Sequence, residues 1–130
     1  MDGQQRHQEP DQELARRIQK ATPEQMAAIL LEGAQYFLSP ALQAVQTQDK
    51  AAHSHNYDRV LESIFELRRQ LNQEQGGELV ANLSRMYDWW VSELNQGSMD
   101  LEPERLRTVF AQMGVMKTTW EELHHKKYPM

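Results

Sequence analysis

Apolar residues along this chain recur every three or four positions, the spacing of α-helices that each bury one face. The strongest run, Thr22 to Gln48, carries two such faces instead of one. At about 100° per residue, Met26, Ile29, Leu30, Gly33, Phe37 and Ala41 fall on one side, and Leu31, Leu38, Leu42 and Val45 form a second stripe roughly 100° away. A helix apolar on two sides is either central in a core or half-covered and open to another helix. On the pattern alone both readings of the second stripe stay open.

The start of this helix is sharply marked. Thr22 supplies a cap, Pro23 suits the first helical position because its missing N–H is not needed there, and Glu24 sits where the helix dipole favours an acid. Pro40 cannot donate to the carbonyl of Tyr36, which predicts a kink, or a break with Ser39 capping a second piece.

A polar stretch from Thr47 to Asn56 leads into a helix with Tyr57, Val60, Leu61, Ile64, Leu67 and Leu71 on one face and Phe65 on its shoulder. Gly76 and Gly77 end it. From Glu78 a fourth helix presents Leu79, Val80, Leu83, Met86, Tyr87, Trp90, Val91 and Leu94, with Trp89 about 130° from the centre of that face. Asn95 to Glu102 reads as a connection, and Pro103 opens a fifth helix with Leu106, Val109, Phe110, Met113, Met116 and Trp120. Ahead of them all, Leu14 and Ile18 lie one turn apart on a short segment that needs a surface to dock on.

No alternating strand pattern and no repeat is present. The fold class is therefore all-α, an antiparallel four-helix bundle with a short additional N-terminal helix. Residues 1–12 are polar and predict a disordered tail, residues 13–123 a single bundle domain, and residues 124–130 a flexible C-terminal tail.

Composition narrows the function. With 130 residues the chain can bury a core, and the absence of cysteine removes disulfides, thiolate metal sites and cysteine nucleophiles. Nineteen acids against fourteen bases give a net charge of −5, so nucleic acid would need a local basic patch, and Lys126 and Lys127 beside His124 and His125 make only a short one. No apolar run approaches the roughly 18 to 20 residues of a membrane span, and the N-terminus lacks a signal-peptide core, which predicts a cytosolic protein without membrane insertion.

Catalytic chemistry finds no foothold. Bundles that hold paired metals place Glu-x-x-His pairs on facing helices, whereas Glu121 with His124 and Glu122 with His125 overlap on one terminal segment. Two residues apart, His53 and His55 diverge on a helix, and Ser54, Ser63 and Ser84 lack any activating signature. The residues predict no metal, no cofactor and no catalytic group. Met86, Met113 and Met116 read first as core filling and second as an adaptable binding surface.

Three segments, in this order and spacing, resemble the flagellar secretion chaperone family called FliS. The first is Thr22-Pro23-Glu24-Gln25-Met26 running into Leu30-Leu31-Glu32-Gly33-Ala34; the second is Gly76-Gly77-Glu78-Leu79, then Ala81-Asn82-Leu83 and Met86-Tyr87; the third is a closing helix ending in Trp120. Three features depart from the family pattern: Leu31 stands where an aromatic is usual, Pro40 interrupts a normally continuous helix, and no tyrosine precedes Tyr36. The resemblance implies a cytosolic, non-enzymatic chaperone. Its client would be the C-terminal segment of flagellin, held as helices on the bundle and delivered to the export-gate membrane protein.

On that reading the candidate flagellin-binding residues are Leu31, Leu38, Leu42 and Val45, with Phe65 and Trp89 as peripheral anchors, and Leu14 and Ile18 mark an N-terminal segment that could cover the groove. The expected state is a monomer or weak homodimer. A divergent bundle adaptor that self-associates through the same stripes, or serves another secretion partner, is the alternative.

Overall fold

Thr22 caps the helix that follows it, as its residues predict. Its hydroxyl accepts from the Gln25 backbone N–H (3.2 Å), and the Gln25 side chain in turn accepts from the Thr22 N–H (3.1 Å), so two otherwise orphaned donors are satisfied at once. The computed structural model describes residues 12–74 and 77–129. Among these residues it contains helices α1 (12–20), α2 (Pro23–Thr47), α3 (Lys50–Glu74), α4 (Glu78–Met99) and α5 (Pro103–Lys127), and no strand. The expected N-terminal tail lies outside the described residues, apart from Gln12, which is already helical.

Helix α2 packs most extensively against α3 and α5, and α4 bridges those two on the far side, giving an antiparallel bundle. The core face of α2 is Ala27, Leu31, Ala34, Leu38, Ala41 and Val45, alternating steps of four and three residues. That face contains three members of the expected second stripe. Met26, Ile29, Leu30 and Phe37, of the other stripe, are only half-buried along the flanks. Three of the six core positions are alanines, whose short side chains let neighbouring helices come close to α2. Opposite them stand Val60, Ile64, Leu67 and Leu71 of α3, Tyr87, Trp90 and Leu94 of α4, and Leu106, Val109 and Met113 of α5.

Pro40 does not break α2, which runs as one helix to Thr47. The cost of the lost hydrogen bond is outweighed because α2 is packed against α3 and α5, and tertiary packing supplies most helical stability. Gln48 ends the helix in the left-handed conformation (φ 61°), where its N–H reaches back to the Ala44 and Val45 carbonyls.

Two further boundaries differ from expectation. Helix α4 continues through most of the stretch read as a connection and stops at Met99, leaving a tight link in which the Glu102 N–H donates to the Gly97 carbonyl (2.8 Å). Gly97 is buried against α5. A Cβ there would stand 3.1 Å from the Glu102 carbonyl oxygen and closer still to Leu106, so only glycine fits this approach.

Helix α5, likewise, does not give way to a tail at residue 124 but extends to Lys127. Its last turn docks on the start of α2: His124 Nδ1 lies 3.0 Å from the Thr22 hydroxyl, and Lys127 Nζ lies 3.1 Å from Glu24 Oε1. Four basic or titratable residues in that turn, His124, His125, Lys126 and Lys127, also complement the negative end of the helix dipole.

Candidate binding groove

Between α4 and α5 the bundle leaves an open groove of about 360 Å³. Leu79, Leu83, Met86 and Trp90 line it from α4, and Gln112, Val115, Met116, Thr119, Trp120 and Leu123 from α5. Each wall covers twelve residues of helix, or three turns. The groove exists because α4 meets α5 near one end, where Trp90 bonds to Gln112, while among the described residues none covers the flanking apolar side chains. Val115 is 69% exposed, Leu79 53% and Leu123 42%. Apolar side chains gathered on one open face mark a contact surface more than they mark chance exposure.

Its polar groups are few. The Trp90 indole N–H donates to Gln112 Oε1 (2.8 Å), and the Thr119 hydroxyl donates to the Val115 carbonyl (3.0 Å). No lining side chain carries a formal charge.

The residues expected to touch a client are placed unevenly. Leu31 and Leu38 are wholly buried and Val45 nearly so, sealed by α3 and α5; Leu42 is half-buried against the same core. None of the four lines the groove. Trp89 is 41% exposed and lies about 60° around α4 from Met86, beside the groove's lip; Phe65 is 52% exposed on α3. In contrast Leu79, expected in the core, and Met86, with a binding surface as its second reading, are half-open, and Val115 and Leu123 belong to no predicted face. The signal for the latter pair was the four-residue step Val115, Thr119, Leu123, a second stripe beside the core stripe of α5.

Helix α1 sits elsewhere. It borders a separate cleft of about 560 Å³ with Ala28 and Ile29 of α2 and Glu121, His124 and His125 of α5, and the Arg17 to Glu32 ion pair (2.9 Å) ties it to α2. Leu14 and Ile18 stay 41% and 42% exposed, and no residue of α1 lines the α4–α5 groove. Arg16, Arg17 and Lys20 thereby join His124 and His125, a larger basic cluster than the terminal lysines suggested, with Glu13 and Glu121 interspersed.

A third, much smaller space of about 30 Å³ lies between Pro23, Glu24, Leu67, Gln70, Tyr87 and Trp120. Burial there pushes the Tyr87 phenol up to about 12, against a smaller opposing pull from the Trp120 indole, so the hydroxyl stays protonated. Among the described residues no group of three or more His, Asp or Glu side chains could hold a metal ion, and no helix is long and apolar enough to cross a membrane.

Comparison with known proteins covers both groove walls and the core. The family model described as flagellar protein FliS matches residues 6–127. The flagellar secretion chaperone FliS of Vibrio cholerae is 26% identical over 106 residues, covering 82% of this chain and 78% of its own. The flagellar secretion chaperone FliS of Salmonella typhimurium is 26% identical over 110 residues (84% and 82%), and the flagellar secretion chaperone FliSB of Pseudomonas aeruginosa 25% over 108 residues (83% and 86%). With an all-helical bundle, a match from ahead of α1 to the last turn of α5, and relatives similar over four-fifths of the chain, this protein belongs to the FliS family of flagellar proteins.

Proposed function

We propose that this chain is a cytosolic flagellar export chaperone that binds the C-terminal segment of flagellin, keeps it from polymerising early and hands it to the type III export apparatus at the membrane gate. The observation that supports a docking role is the α4–α5 groove. It is apolar, uncharged, three turns long and open, the form that accepts the apolar face of an amphipathic helix.

A flagellin segment that folds on docking loses conformational freedom, and burying its apolar stripe on Leu79, Met86, Val115 and Leu123 offsets that cost. Trp89 at the lip extends the contact, and Phe65 gives a peripheral anchor outside the groove. Leu31, Leu38 and Val45 act from behind: they hold α2 against α3 and α5, and α5 is one groove wall.

Titration calorimetry of the full chain with a peptide of its own organism's flagellin C-terminus tests the proposal. One-to-one binding with a gain of helix by circular dichroism is the expected result, and Val115→Asp should weaken it at least tenfold, since a carboxylate would be buried without a partner. Absence of heat and of helix gain would overturn the flagellin reading. Full-strength binding by Val115→Asp would move the site off this groove, and a concentration-dependent dimer indifferent to flagellin would favour the self-associating adaptor.

A further inference from the structure

The polar chemistry of the groove is asymmetric. An indole N–H only donates, so Trp90 fixes the orientation of the Gln112 amide: the oxygen faces Trp90 and the NH2 is left over. That NH2 meets no acceptor among the described residues. A second polar side chain in the groove, Thr119, has already given its proton to the Val115 carbonyl, and the Trp120 indole acts on the Tyr87 hydroxyl behind the groove. Gln112 therefore presents the groove with an amide donor that no described residue takes up.

In the open groove water satisfies this donor. A docked helix excludes that water, and a purely apolar stripe would leave the NH2 buried and unpaired. The carbonyls of a docked helix ahead of its last turn are already bonded to its own N–H groups, so an acceptor along its apolar stripe has to come from a side chain. We infer that the helix occupying the α4–α5 groove carries one hydrogen-bond-accepting side chain at the end of its apolar stripe, received by the Gln112 amide. The inference rests on the groove being the client site.

Position makes the donor a register mark. In antiparallel helices Trp90 and Gln112 stand at one end of the groove, and Leu79 and Leu123 at the other, about three turns away. An occupant slid by one turn would lose the hydrogen bond while keeping much of its apolar contact. Apolar burial sets how tightly the groove holds; Gln112 sets where along the helix it holds.

The experiment uses three peptides in a 20-residue helical Ala/Glu/Lys host: one with leucine at i, i+4, i+7 and i+11, and one each with asparagine replacing the first or the last leucine. Calorimetry is run on the full chain, on Gln112→Leu and on Gln112→Glu, which keeps an acceptor for Trp90 and removes the donor; thermal melts confirm that each variant folds. Relative to the all-leucine peptide, one asparagine peptide should bind the full chain about tenfold better than it binds either variant. An equal ranking of the three peptides by all three proteins would overturn the inference and leave the groove intact. Failure of every peptide to bind the full chain would overturn both.

Discussion

Glu24 in the first turn of α2 and Lys127 in the last turn of α5 are joined across 103 residues by an ion pair of 3.1 Å that closes one end of the bundle. Burial raises the Glu24 carboxyl, but its own backbone N–H, Lys127 and Thr22 together outweigh this and hold it below its ordinary value of 4.5. A carboxylate depressed in the folded state adds stability above its unfolded value, and that stability is lost as pH falls through the folded one.

Glu24→Gln should consequently cost roughly 1 kcal/mol at pH 7, a modest amount because Lys127 is more than half exposed and solvent screens the pair. Urea titrations from pH 7 to pH 3 would read it. The gap between the two proteins closes below about pH 4.5; a gap constant down to pH 3 would show that the ionised form gains nothing in the fold.

Leu38 and Phe65 separate core from surface. Leu38 is fully buried, and Leu38→Ala should destabilise by about 2–5 kcal/mol, whereas Phe65, 52% exposed, should lose no more than roughly 0.5 kcal/mol when changed to alanine. Denaturant midpoints compare them directly. Equal, small effects would place the second stripe of α2 outside the core.

Backbone changes at Gly97 and Pro40 should have opposite signs. Gly97→Ala drives a methyl into Leu106 and the Glu102 carbonyl and should cost about 1–3 kcal/mol. Pro40→Ala restores a donor inside a continuous helix and should stabilise by about 1–3 kcal/mol. Melting temperatures that move in the same direction for both would contradict this geometry.

Much of the fold was legible because large residues repeat in phase. Val60, Ile64, Leu67 and Leu71, or Leu106, Val109 and Met113, mark their faces unaided. The phase of α2 was not legible, since Ala27, Ala34 and Ala41 weigh little in a hydrophobic pattern yet occupy the centre, so the pattern left open whether the stripe through Leu31 and Leu38 was core. The groove was hidden for a related reason. Leu79 and Met86 are apolar and in phase with Trp90, and periodicity says which side faces inward but not how far the neighbouring helix extends to cover it. Polar residues obscured the last turn of α5, whose docking depends on Thr22 and Glu24, 102 and 103 residues away in the sequence from His124 and Lys127.

The alanine spine of α2 separates what the bundle weighs from what it tolerates. Ala27, Ala34 and Ala41 each bury little surface and contribute little transfer energy, whereas Trp90, Tyr87 and Leu94 contribute far more. Yet a side chain that stops at Cβ, enclosed as Ala34 and Ala41 are, has no length to lose and no room to gain: any larger residue has to move a whole helix axis. The least massive residues of the core are thus the ones that leave the chain the least freedom to vary.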